Sequence, residues 1–235
     1  MSSRTGTARR KSKQTSKRIL DVARGLFNDH GTSEVSTNHI AAGAGISPGN
    51  LYYHFENKKD IIRALLAEYT AAYEDRWAPS ADAGENLATL GENLAAWSEL
   101  AWEYRFFERE VLALVRVDPA LRDSYRETYE RRVGQYVAFG EQMAAQGLLR
   151  TPVPPRTIHD LAVAIWLIGQ GWLPFLDVTG DPRDPRQVAR GTDLVLVALA
   201  PYLTTKGRRA LENVAPRAGA TVRRGDRKRR PEEEP

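Results

Sequence analysis

Two helix-start signals eleven residues apart constrain this chain more than any other feature of its 235 residues. They lie in STNHIAAGAGISPGNLYYHFENKK, residues 36–59. Ser36 supplies an N-cap acceptor for a helix that runs through Ile40 and Ala41. Gly45 suits the left-handed position that ends it, and Ile46 is the apolar turn residue that pins the next helix to it. Ser47 is the second N-cap. Pro48 follows at the first helical position, where its missing N–H costs nothing. The short helix over 48–55 then displays Asn50, Tyr52, Tyr53 and His54, groups able to reach bases and phosphates. Two short helices joined by a tight turn form a helix-turn-helix, which seats its second helix in the DNA major groove.

The rest of the chain is read around that core. Residues 1–14 are rich in Ser, Thr, Arg and Lys without periodic apolar residues, and are expected to form a disordered basic arm. A first helix is expected over about 15–29, with Ile19, Val22, Ala23, Leu26 and Phe27 on one face and Gly31 closing it. A fourth opens at Asn57 as N-cap, carries Ile61, Ile62, Leu65, Leu66, Tyr69 and Tyr73, and is expected to reach about Trp77 before Pro79. Residues 84–117 hold one apolar stripe from Leu87 to Leu114 in steps of three and four, with a break expected near Tyr104–Arg105. Residues 119–147 repeat the pattern and end at Gly147; 151–155, TPVPP, is a loop. Further helices are expected over about 156–176 and 186–204, then a disordered charged tail over 206–235. The expected fold class is all-α with about nine helices. A helix-turn-helix domain spans 15–61 and a second helical domain spans 62–205.

Charge follows the same division. The formal net charge is +4. Residues 1–18 hold seven Lys/Arg and no acid, and 206–230 hold ten against two acids, whereas 19–205 holds 17 basic and 25 acidic residues. Positive charge is therefore gathered beside the helix-turn-helix, where phosphate would lie. There are no cysteines, which excludes disulfides, thiolate metal sites and a cysteine nucleophile. No secretory h-region and no uninterrupted apolar run of membrane-spanning length is read, so a cytoplasmic protein without membrane attachment is expected.

The N-terminal fifth resembles the DNA-binding domain of TetR-family transcriptional regulators. The matching pieces are the opening helix with Ile19, Leu20, Ala23, Leu26, Phe27 and Gly31, the Ser-Thr…Ile-Ala of the second helix, the Ala-Gly-Ile-Ser turn, the Gly-Asn-Leu-Tyr-Tyr-His-Phe recognition helix, and Asn-Lys-Lys-Asp-Ile-Ile after it. The resemblance implies operator contacts by Thr37, Gly49, Asn50, Tyr52, Tyr53, His54 and Lys58, with the capping serines Ser36 and Ser47 beside them. Asn50 is the residue best suited to a base edge, because a carboxamide pairs bidentately with adenine. Gly49 lets the helix approach closely, and Lys58 is expected to clamp phosphate at the start of the fourth helix. Pro48 stands where the family commonly has Lys or Arg. Two alternatives stay open on the residues alone: one of Tyr52 and Tyr53 packs against the first helix, and His54 caps its own helix end.

No catalytic constellation is found. His30, His39, His54 and His159 are scattered, and neither a phosphate-cradling glycine motif nor G-x-S-x-G occurs. No enzyme activity, metal or cofactor is expected. The second domain holds many aromatic residues. Trp97, Trp102, Tyr104, Phe107, Tyr125, Tyr136, Trp166, Gln170 and Trp172 are candidate lining for a ligand pocket, and each aromatic serves equally as plain core. Arg105, Glu108 and Arg109 are further polar candidates, Glu108 and Arg109 alternatively an exposed pair. The resemblance implies a homodimer through the helices at about 156–176 and 186–204, with Gly169 permitting close approach. It also implies a double-stranded DNA operator released by a small apolar or amphipathic effector. The alternative is a helix-turn-helix dimer without an effector, acting by occupancy or with a protein partner.

Overall fold

The computed structural model describes residues 3–72 and 76–214. Among these it contains ten α-helices, α1 (Ser3–Glu34), α2 (Thr37–Gly43), α3 (Pro48–His54), α4 (Lys58–Ala71), α5 (Ala83–Glu103), α6 (Arg105–Val117), α7 (Pro119–Ala145), α8 (Ile158–Thr179), α9 (Pro185–Leu199) and α10 (Thr205–Val214), with one 3-10 turn at Ala200–Tyr202. The all-α class is as the sequence indicates.

Helix starts fall where capping chemistry puts them. Asn57 accepts from Asp60 N at 3.1 Å, Asp82 from Glu85 N at 2.9 Å and Asp118 from Leu121 N at 3.2 Å. Gly31, at φ 78°, interrupts α1 where the sequence reading closed it, and Gly147, at φ 69°, follows α7.

Both expected disordered ends need correction. α1 begins at Ser3 rather than near residue 15. From residue 7 to residue 18 the chain has neither Gly nor Pro and is rich in Lys and Arg, so nothing stops a helix whose apolar face begins only at Ile19. At the other end, α10 occupies the first part of the supposed tail. Thr204 Oγ1 accepts from Gly207 N at 3.0 Å and donates to Gly147 O at 2.8 Å, while Leu211 is buried. A Cβ on Gly207 would lie 2.1 Å from Leu148 O, so only glycine lets α10 sit this close. Residues 215–235 lie outside the described residues. Helix α4 ends at Ala71, earlier than expected.

Three hydrophobic clusters organise the molecule. The first joins α1 (Ile19, Ala23, Phe27), α2 (Ile40, Ala41), α3 (Leu51) and α4 (Ile61, Leu65) directly to α6 (Phe106, Phe107, Val111) and α7 (Leu121). The expected boundary at residue 61 is therefore no gap in packing. A second cluster lies between α5, α7, α8 and α9, and a small third one holds Leu173, Leu176 and Val188. The break between α5 and α6 is as expected, and α1 holds it. Asn28 Nδ2 donates to Glu103 O at 2.8 Å and Asn28 Oδ1 accepts from Phe106 N at 3.0 Å, satisfying the two backbone groups that the break would leave unpaired.

Candidate DNA-reading face and internal cavity

The helix-turn-helix is built by its caps. Ser36 Oγ accepts from His39 N at 3.2 Å while His39 Nδ1 accepts from Ser36 N at 3.3 Å, a reciprocal box. Gly45 takes φ 62° between the helices, and Ile46 N donates to Ala41 O at 3.0 Å. Ser47 Oγ accepts from Asn50 N at 3.2 Å. Leu51 is wholly buried and fixes the rotation of α3. That rotation leaves Gly49, Asn50, Tyr52 and Tyr53 exposed along one outer surface.

The candidates on this surface differ in freedom. Tyr53 is 79% exposed and meets only the edge of the His54 ring, at 5.2 Å. Tyr52 is half exposed, and its hydroxyl is 3.0 Å from Thr37 Oγ1, so these two act as a unit across α2 and α3. Neither tyrosine is the one packed on α1. That place belongs to His54, whose Nδ1 is 3.0 Å from Ser16 Oγ; it does not cap its own helix. Nothing lies within 4 Å of a Cβ built on Gly49, so the missing side chain there serves no need inside the protein. Lys58 is the correction. Its ammonium donates to Thr32 O at 2.6 Å and Val35 O at 2.9 Å, turned onto the backbone before α2 rather than outward. The adjacent Lys59 donates to Val117 O at 3.0 Å.

Helix α4 carries this face to the second domain. At its far end Leu66, Tyr69 and Thr70 enter the wall of a cavity of about 120 Å³ between α4, α5, α6, α7, α8 and α9. Of the expected lining, Trp97, Phe107, Tyr125, Tyr136, Trp166 and Gln170 do face it. Three do not. The Trp102 ring lies under the Arg105 guanidinium at 4.5 Å, the Tyr104 hydroxyl accepts from Arg24 at 3.2 Å, and Trp172 Nε1 donates to Gln187 O at 3.0 Å in the α8–α9 contact. Gly169 is also corrected: it faces the Trp97 ring, 3.6 Å from a built Cβ, on the cavity side. Sequence reasoning missed Tyr69, Trp77, Phe139 and Arg132 as lining. Tyr69 stood in the stripe of the fourth helix, but a stripe cannot distinguish core from cavity wall. Trp77 Nε1 is buried with no acceptor among the described residues.

Glu108 is neither exposed nor paired with Arg109. It is 1% exposed; Tyr69 OH donates to one carboxylate oxygen and Gln170 Nε2 to the other at 3.2 Å, while Tyr125 OH donates to Gln170 Oε1 at 2.7 Å. Burial pushes its pKa up to about 7, against the pull of those two hydrogen bonds. Burial likewise raises the Tyr125 and Tyr136 phenols. Arg109 instead reaches Asn28 O at 2.9 Å and Asp177 at 3.5 Å.

An exposed recognition helix, set by two caps and joined by one helix to an internal cavity, defines an all-α helix-turn-helix transcriptional regulator. Comparison with known proteins agrees. A model of bacterial regulatory proteins of the tetR family matches residues 19–65, and the TetR bacterial transcriptional repressor model matches 68–211. The chain belongs to the TetR family. A TetR-family regulator from Marinobacter aquaeolei VT8 is 32% identical, with a TM-score of 0.72 over 86% of this chain and 98% of that one. The regulator AcrR of Shigella flexneri is 40% identical over 57 residues, 24% of this chain and 26% of AcrR, so this match spans about a quarter of that curated relative. A protein from Saccharomonospora viridis, solved in complex with choline, shares the fold at 22% identity and TM-score 0.61, over 79% of this chain and 96% of that one.

Proposed function

We propose that this protein is a homodimeric repressor of the cytoplasm, which holds a palindromic operator and lets go when a small apolar or amphipathic molecule fills the cavity. The observation that carries the reading is α4. One helix of 14 residues, about 21 Å long, is fastened at its start to the helix-turn-helix through Lys58 and lines the cavity near its end through Leu66, Tyr69 and Thr70. A ligand that fits only one placement of α4 biases the spacing of two recognition helices, through unequal affinity for the two states. The Saccharomonospora viridis protein of this fold was solved in complex with choline, which fits a small-molecule effector.

The dimer reading rests on α8 and α9. α8 is 22 residues long and apolar enough to pass for a membrane span, although the sequence reading found no such segment, because Asp160 and Gln170 interrupt the run without lowering its mean enough. Only 22% of that window is buried. Leu167, Gly171, Phe175 and Val178 repeat at helical spacing on its outer face, with Val197 exposed on α9. A second copy covers such a face by two-fold symmetry. Gly171, with open space around it, takes the close-approach role first given to Gly169.

The test pairs two measurements. Compounds are screened for a rise in melting temperature, and each stabiliser is then titrated into the protein bound to a fluorescent operator recovered by genomic selection. Release of DNA in step with occupancy is expected. Stabilisers that leave operator affinity unchanged would sink the effector mechanism.

A further inference from the structure

Glu108, buried beside the cavity, has no counter-charge among the described residues. Glu108 accepts hydrogen bonds from Tyr69 and Gln170, both neutral groups. Among the described residues no Lys, Arg or His forms an ion pair with it, and no cation contributes to its ionisation. Arg132, the guanidinium in the cavity wall, acts on Tyr136 instead and has a partner of its own. A buried carboxylate costs several kcal/mol unless a positive charge or strong hydrogen bonds compensate it. Here the hydrogen bonds are in place and the charge is not.

The three side chains that close over Glu108 are themselves cavity wall. Tyr69, Gln170 and Tyr125 all line the space, so the carboxylate sits one side-chain layer behind it. The remaining wall there is aromatic: Trp166 lies 6.1 Å from Tyr125 and Phe107 lies 6.4 Å from it, centroid to centroid. Ring faces attract cations, most strongly where water is excluded.

We propose that the cavity selects small lipophilic organic cations, whose ammonium group seats against Tyr69, Tyr125 and Gln170 with Glu108 as its counter-charge. This rests on the cavity being an effector site, and it adds the charge class of the effector. A cavity of about 120 Å³ among these side chains suits a small molecule. Tyr69 belongs to α4, so the seat of the charge lies on the helix that carries the DNA reader.

The experiment uses a matched set of that size: phenyltrimethylammonium, its neutral isostere tert-butylbenzene, and the anion 3-phenylpropanoate. Calorimetric titration of the full-length protein is expected to show the cation at least about tenfold tighter than the isostere. Glu108→Gln is expected to remove that preference while leaving tert-butylbenzene affinity within about twofold. Equal affinity for cation and isostere, or preference for the anion, overturns the charge class and leaves the cavity reading intact. Failure of all three to bind overturns both. The wild-type comparison decides the matter by itself if Glu108→Gln does not fold, and a Glu108→Gln protein that keeps the cation preference overturns the role of Glu108.

Discussion

Glu108 ties ligand chemistry to stability in a way that pH exposes. Its pKa rises from the ordinary 4.5 to about 7 in the folded protein. Between those values the folded state holds more protons than the unfolded one, so this residue's contribution falls as pH rises from about 4.5 to about 7. The loss totals on the order of 3 kcal/mol at about 1.4 kcal/mol per unit. The groups around it are Tyr69 on α4, Tyr125, Tyr136 and Arg132 on α7, and Gln170 on α8. None of these is a carboxylate or imidazole titrating in that window. Glu108→Gln should therefore gain stability over wild type progressively from pH 5 to pH 8 in urea unfolding; parallel profiles would contradict the assignment. On the reading face, Gly49→Ala should leave melting temperature unchanged or higher, since its Cβ meets open space and Ala favours helix, while weakening operator binding. Unchanged binding would remove Gly49 from the interface. Lys58→Ala should behave in the opposite way. Two carbonyls lose their donor, at about 1–3 kcal/mol of stability, whereas the salt dependence of binding stays the same. A slope lowered by about one would return Lys58 to the phosphates.

At the scale of elements, the sequence was most readable where local chemistry decides. Ser36, Ser47 and Asn57 each cap the helix they were expected to cap, because an N-cap needs only its own turn. The break at Tyr104 was legible as a place but not as a mechanism, since its partner Asn28 lies 75 residues away in the chain from Glu103. The helical form of α1 before Thr15 and of α10 stayed hidden because neither shows an apolar stripe. Residues 10–14 of α1 are exposed or only partly covered, and α10 is held by a glycine contact, a threonine cap and the one buried side chain of Leu211 among its described residues. The inward turn of Lys58 depends on carbonyls at Thr32 and Val35, which no local pattern reveals. The joint between α1 and α6 yields its own prediction. Asn28→Ala leaves Glu103 O and Phe106 N unsatisfied in a buried break, and should cost about 2–4 kcal/mol in chemical unfolding. A loss below about 0.5 kcal/mol would show that water replaces the carboxamide.

For the whole molecule, the proposed dimer rests on the exposed stripe of α8. Phe175→Glu places a charge in the middle of Leu167, Gly171 and Val178, and should give a monomer by sedimentation with operator affinity lowered at least about tenfold. A dimer that persists would move the interface elsewhere. The aromatic candidates illustrate why tertiary placement eluded the sequence. Trp97 and Trp102 share a helix and a residue type, yet one faces the cavity and the other a guanidinium.

The first hydrophobic cluster has a practical bearing on sensor engineering. It runs without interruption from Ile19 through Leu51 and Leu65 to Phe106 and Leu121, and Asn28 and Thr32 of the reader are bonded to α6. The reader is thus not a cartridge. A chimera cut near residue 61 and fitted with a foreign recognition segment places foreign side chains against α6 and α7, and is expected to lose stability at that seam. A graft that replaces only the exposed Gly49, Asn50, Tyr52 and Tyr53 on the outer face of α3 keeps that seam native, and on the proposed operator reading is the exchange that retargets the promoter with the core undisturbed.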